Sequence, residues 1–201
     1  MNTAIACLAA SLLALSWSAT AQTASRPDVK VGDLWRFAAY YSAPTILPNK
    51  VWQVTAVSEA SIEGTEDGQP LRLTLDLNVV ESPRVRESNP LLLSFPLTIG
   101  RGWQFESDWE FKPKGSKGKY LVDVKVLSYE RVSVPAGECD AFKLTASETL
   151  GGTSPIGTKY AGVATRTYWY APAARAVVKS VSHNPYLGSA TVELVSMELR
   201  N

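Results

Sequence analysis

The feature that most constrains the fold is an alternation of apolar and polar side chains at every second position. The clearest case is the segment 103–111, where aromatic and polar residues alternate. Its apolar side carries Trp103, Phe105, Trp109 and Phe111, with the small Ser107 between them. Successive side chains of a β-strand point to opposite faces, whereas a helix would scatter these aromatic rings around its circumference. The segment is therefore predicted to be a strand.

The same alternation recurs along most of the chain, and no segment after residue 21 keeps helical apolar spacing over three turns. The further predicted strands are 34–41, 51–57, 71–79, 91–97, 120–126, 141–149, 163–170, 175–183 and 191–199. Short turn sequences such as Pro135–Gly137 join neighbouring runs, which favours antiparallel pairing. The prediction is an all-β protein, a single strongly curved antiparallel meander of about ten strands. Its form, a half-open or flattened barrel or a sandwich, stays open.

The N-terminal segment 1–21 has the pattern of an export signal. Its apolar run, Ala4–Leu15, is shorter than the roughly 20 residues that span a bilayer. The small residues of Ala19–Ala21 then predict cleavage after Ala21 and a periplasmic protein, with an uncleaved anchor as the alternative. Residues 22–27 are expected to form a flexible segment and 28–201 a single domain without a transmembrane helix.

Composition excludes several functional classes. The chain has 201 residues, with 20 basic and 19 acidic side chains and a formal net charge of +1, which argues against nucleic-acid binding. One histidine, His183, and two cysteines leave little material for a metal centre or a histidine-based triad. Because Cys7 lies in the predicted signal segment, only Cys139 remains after cleavage. We therefore predict no cofactor, no metal site and no enzymatic activity.

An acidic row on the tryptophan strand offers the strongest alternative to a non-catalytic protein. Glu106, Asp108 and Glu110 point the same way, and paired carboxylates perform glycoside hydrolysis. A weak hydrolase would use Glu106 and Glu110. The favoured interpretation is a solvated strand face, whose charges are offset by Lys119 and Lys125 on the next strand.

The candidate ligand-binding residues are three adjacent aromatic side chains, Tyr168, Trp169 and Tyr170. Adjacent strand residues face opposite sides of a sheet, so these rings must occupy both faces. Rings outside the core can hold an apolar ligand such as a hydrophobic small molecule or lipid, contact an envelope protein, or stack on sugars as a carbohydrate-binding module does. A third alternative is a structural subunit of a surface assembly, with 191–199 as an exposed edge strand.

Several segments together resemble a known family. Val132–Leu144, Thr167–Pro172, Val177–Lys179 and the upstream Pro96–Trp103 are similar to the TapB-like family of exported bacterial proteins, over about residues 96–180. That family is largely a domain of unknown function. The resemblance implies a β-rich envelope protein and brings no catalytic residues. A more distant similarity is to periplasmic lipoprotein carriers, whose curved sheet cups an acyl chain beneath lid helices, although this chain lacks a helical pattern.

Overall fold

The computed structural model describes residues 22–41, 47–186 and 188–201. The predicted signal segment 1–21 and its cleavage site lie outside the described residues. The strands are β1 (Thr23–Ala24), β2 (Leu34–Tyr41), β3 (Leu47–Val57), β4 (Ile62–Glu66), β5 (Gln69–Leu73), β6 (Val79–Glu81), β7 (Val85–Glu87), β8 (Leu97–Thr98), β9 (Gly102–Phe111), β10 (Ser116–Val134), β11 (Gly137–Thr153), β12 (Lys159–Ala171), β13 (Ala176–Asn184) and β14 (Gly188–Glu198). Two single turns of 3-10 helix occupy Lys112–Lys114 and Pro172–Ala174.

Twelve of these strands form a closed antiparallel barrel in the order β10-β11-β12-β13-β14-β2-β3-β4-β5-β6-β7-β9, and β9 pairs with β10 to complete the ring. The predicted all-β antiparallel class is confirmed. The half-open meander of about ten strands is wrong, because the sheet closes through β14 and β2, where Glu198 lies opposite Leu34. The segment 191–199 therefore does not form an exposed edge, since β13 and β2 flank β14.

One predicted strand is a hairpin. The run 71–79 stops at Leu73, turns through 74–78, and returns as β6, with Leu73 opposite Val79. Thr74 Oγ1 accepts a hydrogen bond from the backbone N–H of Asn78 at 3.1 Å, and Leu77 has φ +64°. The regular spacing of leucines continued through this turn, so the alternation concealed it.

A second predicted strand, 91–97, is mostly irregular, with only Leu97 in a strand. It is held by a side chain that takes the place of a strand partner. The Asn78 amide donates to the Leu93 carbonyl at 2.8 Å and accepts from the Leu93 N–H at 2.7 Å. Leu93 and Leu97 are buried in an apolar cluster, so this segment fills one end of the barrel.

The segment 22–27, predicted to be flexible, contains a short strand. Thr23 and Ala24 in β1 pair with Thr98 and Leu97 in β8. Ala24 is buried against the same apolar cluster as Leu97. Its contact ties the start of the described chain to the segment that fills the barrel.

The barrel interior has an apolar end and a polar end. We call the end that carries the turns 67–68, 82–85, 112–115 and 154–158 the upper end, and the opposite end the lower end. Towards the lower end the interior is apolar and includes Ile62, Leu71, Val124, Leu144, Tyr170 and Val178. Glu66, Glu148 and Arg166 bring charge to the interior nearer the upper end, while the Arg175–Asp33 ion pair lies at the lower end. The candidate site is built from these charged side chains.

Candidate functional site

A cavity of about 340 Å³ lies inside the barrel. Its apolar wall includes Trp35, Phe37, Trp52, Leu73, Val177 and Val192. These residues stand on β2, β3, β5, β13 and β14, and further lining residues stand on β4, β6, β7 and β12. The lining also contains arginine, lysine and glutamate side chains. The cavity therefore combines an apolar wall with charged side chains.

Arg166 is the central cation of the charged wall. Its Nε donates to Glu148 Oε1 at 2.8 Å, and its Nη1 donates to the Tyr168 hydroxyl at 3.4 Å. The Glu148 side chain is only 5% exposed, whereas that of Arg166 is 37% exposed because it borders the cavity. Ionic pairing with Glu148 keeps the guanidinium in place where it borders the cavity.

Glu87 carries a second carboxyl group into this wall. The Tyr120 hydroxyl donates a hydrogen bond to it. Burial raises the pKa of Glu87, and the nearby Glu148 adds to that rise, while Tyr120 and Arg166 oppose it. Burial likewise raises the pKa of Tyr120 and Tyr168, which keeps both phenols protonated.

Two further ion pairs hold charges at the cavity. Lys50 Nζ lies 3.7 Å from Glu66 Oε1, while Trp52 Nε1 donates to Glu66 Oε2 at 2.9 Å. Arg175 Nη1 donates to Asp33 Oδ2 at 3.0 Å, and the Asp33 side chain is fully buried. Because each of these cations has a carboxylate partner, neither leaves an uncompensated charge.

Arg84 differs from the other cations of the cavity. It lies in the turn 82–85 between β6 and β7, at the upper end, where its carbonyl accepts a hydrogen bond from the Lys112 backbone at 2.9 Å. Within the ranges that the structure describes, no carboxylate lies within ion-pairing distance of its guanidinium. Arg84 therefore brings an unpaired positive charge to the cavity wall.

The hairpin that carries Arg84 is fixed by Glu81. Glu81 Oε1 accepts hydrogen bonds from Lys112 Nζ and Arg86 Nη2, each at 2.8 Å. The Lys112 ammonium and then the Arg86 guanidinium lower the pKa of Glu81 from 4.5 to about 2. Strands β6 and β7 have only three residues each, so these charged bonds supply attachments that a short ladder lacks.

This pKa shift predicts a loss of stability in acid. A carboxyl group with a lowered folded pKa stabilises the native state above its unfolded pKa and loses that contribution as the pH falls towards its folded pKa. We expect the free energy of unfolding to drop by about 1 kcal/mol between pH 4.5 and about 2, a value reduced for solvent screening. Urea denaturation of Glu81→Gln should lack this part of the pH dependence. An unchanged pH profile in that variant would contradict the assignment.

The structure separates the three predicted ligand-binding aromatics. Tyr168 lines the cavity, whereas Tyr170 is 1% exposed and packs edge-on against Phe95 with ring centroids 5.0 Å apart. Trp169 faces the other side of the sheet, where its Nε1 donates to Glu130 Oε1 at 2.9 Å. The Lys143 ammonium lies 5.3 Å from its ring centroid. Of the three, Tyr168 alone borders the cavity.

The acidic row lies on the outside of the barrel and is paired with lysines. Lys119 Nζ is 2.9 Å from Glu106 Oε1 and 3.5 Å from Asp108 Oδ1, and Lys117 Nζ is 3.5 Å from Glu110 Oε1. None of these carboxylates borders the interior cavity. Their geometry matches a solvated strand face.

Within residues 22–41, 47–186 and 188–201, no three side chains of His, Cys, Asp or Glu come together as metal ligands would. In the same ranges no helix combines the length and apolarity needed to cross a membrane.

Comparison with known proteins gives the fold. No protein-family model and no curated protein matches the chain. A candidate lipoprotein from Parabacteroides distasonis matches with TM-score 0.56 and 14% identity, over 87% of this chain and 99% of that one. A candidate exported protein with a YmcC-like fold from Bacteroides fragilis matches with TM-score 0.54 and 15% identity over the same shares. The shared property is the fold, and the TapB-like resemblance stays a prediction.

Proposed function

We propose that this chain is an exported, non-catalytic binding protein whose barrel encloses a ligand with an apolar body. The observation that carries the proposal is the interior cavity of about 340 Å³ with its apolar wall. Small-molecule sites are concave, mostly apolar and lined by a few polar groups that fix orientation, and cavities start at roughly 300 Å³. The cavity fits a ligand at the small end of that class.

The export part of the proposal is supported by sequence and by the neighbours. The segment 1–21 has the pattern of a cleaved signal, which favours the periplasm. Two of the proteins that share the fold are described as a candidate lipoprotein and a candidate exported protein. Between an apolar ligand and an envelope partner, the cavity favours the ligand, because it is a concave and mostly apolar surface of the size that small molecules occupy.

Decan-1-ol tests the apolar cavity without involving charge. We expect isothermal titration calorimetry to show one molecule bound per chain. Val192→Trp should weaken this binding at least about tenfold, because the indole would fill space next to Trp35 and Phe37 and displace the alkyl chain.

The matched control is Val181→Trp on the neighbouring strand β13. Val181 is 40% exposed on the outer surface and lies opposite Thr191 in β14, one residue from Val192. This variant should bind decan-1-ol like the unmodified protein. Absence of binding in the unmodified protein, or equal binding by both variants, would overturn the proposed function.

A further inference from the structure

One of the charges that border the cavity has no partner. Four cations line it, and three of them, Lys50, Arg166 and Arg175, each have a carboxylate within ion-pairing distance. Arg84 has none in the part of the chain that the structure describes. Glu87 is the one remaining carboxyl group of the lining, and it is hydrogen-bonded to Tyr120. Arg84 is therefore the cation of the described lining that no carboxylate pairs.

The unpaired charge sits at one end of the cavity. Arg84 lies in the upper turn 82–85, whereas Trp35 and Leu73 of the apolar wall lie towards the lower end. An apolar ligand without a charge would place an apolar surface beside the Arg84 and Arg166 guanidinium groups that line the cavity. Leaving such groups without acceptors is costly, so a ligand that supplies an acceptor there is favoured.

From this arrangement we propose that the ligand is a single-chain amphiphile with one anionic head, and that Arg84 and Arg166 bind the head. The inference rests on the proposed function, because it assigns the head group of a ligand whose apolar body lies in the same cavity. Arg166 offers a planar guanidinium already oriented by Glu148 and Tyr168, which suits a carboxylate. Arg84 supplies the positive charge that balances the charge of the anionic head, because Arg166 is already paired with Glu148.

Glu87 links head-group binding to a proton. The charged and titratable groups that face it are Arg166 on β12, Glu148 on β11 and Tyr120 on β10, with Arg84 in its own hairpin. An anion beside Arg166 disfavours the ionised form of Glu87, whose pKa burial already raises. Binding of an anion therefore takes up a proton, and the affinity falls as the pH rises.

The head group is tested with a pair of ligands that share one chain. We expect decanoate to bind about tenfold to a hundredfold more tightly than decan-1-ol, the range given by one or two charge-assisted hydrogen bonds. Equal affinities would overturn the anionic head and leave the proposed function standing. If neither ligand binds, both proposals fail. Decylamine, which carries the opposite charge, should bind more weakly than the alcohol, and tighter binding of the amine would also overturn the inference.

Arg84→Gln tests the assigned residue. We expect it to reduce the preference for decanoate over decan-1-ol about tenfold or more, mainly through a loss of decanoate affinity. The change breaks no ion pair, so the fold is retained. Arg86→Gln on the same hairpin is the control, because Arg86 pairs with Glu81 on the outside and should leave both affinities unchanged. An unaltered preference in Arg84→Gln would overturn the assignment.

Decane-1-sulfonate stays ionised over the pH range used, so any pH dependence of its affinity comes from titration of the protein and not of the ligand. Its affinity should fall as the pH rises through the raised pKa of Glu87. Glu87→Gln keeps the neutral form and should remove the fall while retaining tight binding. A sulfonate affinity without pH dependence, or the same dependence in Glu87→Gln, would overturn the proton linkage.

Discussion

Replacement of Arg166 by leucine is expected to lower the free energy of unfolding by about 3 kcal/mol. The Glu148 carboxylate is 5% exposed and its Oε1 lies 2.8 Å from Arg166 Nε, so the change leaves a buried charge without its partner. Removal of one member of a buried pair destabilises by about 3–5 kcal/mol, and the lower figure applies here because Arg166 borders the cavity. Urea denaturation at neutral pH measures the change.

Two further variants separate the buried charge from a general effect of losing an arginine. Arg131→Leu removes an exposed arginine whose Nε lies 3.3 Å from Asp140 Oδ1 on the outer surface, and should lower stability by less than about 1 kcal/mol. The double variant Glu148→Leu/Arg166→Leu removes both buried charges and should recover most of the loss. Equal losses for Arg166→Leu and Arg131→Leu would show that Glu148 is solvated.

The alternation in sequence predicted the strands because it reports directly which side of a strand is buried. In 103–111 the apolar side includes Phe105, which is buried, while Glu106 points outwards and pairs with Lys119 on β10. The antiparallel pairing of β9 and β10 across a short turn was also predictable, since the two runs adjoin in sequence. These features depend on near neighbours in the chain.

Closure of the barrel could not be predicted in the same way. It depends on pairing between β2 and β14, where Leu34 lies opposite Glu198 at the far end of the chain. Alternation predicts which face of each strand is buried, but it does not predict which distant strand pairs with it to close the barrel. The hairpin at 74–78 was missed for a related reason: its leucines kept their spacing through a turn that hydrogen bonds between Thr74 and Asn78 create.

The charged wall of the cavity was missed although the sequence carries a signal for it. Glu148 continues the buried series of Phe142, Leu144 and Ala146, and Arg166 precedes Tyr168 on the inward side of β12. A charged side chain on the apolar side of an alternating strand is expensive unless it is paired. Two such residues on adjacent strands therefore indicate a buried ion pair, and they were a stronger sign of the site than the aromatic cluster.

Replacement of Gly118 by alanine is expected to lower the free energy of unfolding by about 3 kcal/mol or more. A Cβ at this position would lie 2.0 Å from the Gly151 carbonyl oxygen and 2.7 Å from the Gly152 Cα, and backbone atoms of a paired strand cannot rotate away. It would also lie 2.8 Å from the Trp109 indole. Denaturation followed by circular dichroism measures the loss.

Gly151→Ala is the matched control, because the same atom added one strand away meets nothing within 4 Å. Both residues lie in the β10–β11 ladder and both changes add one methyl group, so a difference between them isolates the steric contact from the preference of strands for alanine over glycine. Gly151→Ala should alter stability by less than about 1 kcal/mol. Equal stability of the two variants would mean that β10 and β11 move apart at Gly118, which would in turn release the Trp109 indole from its place on the sheet.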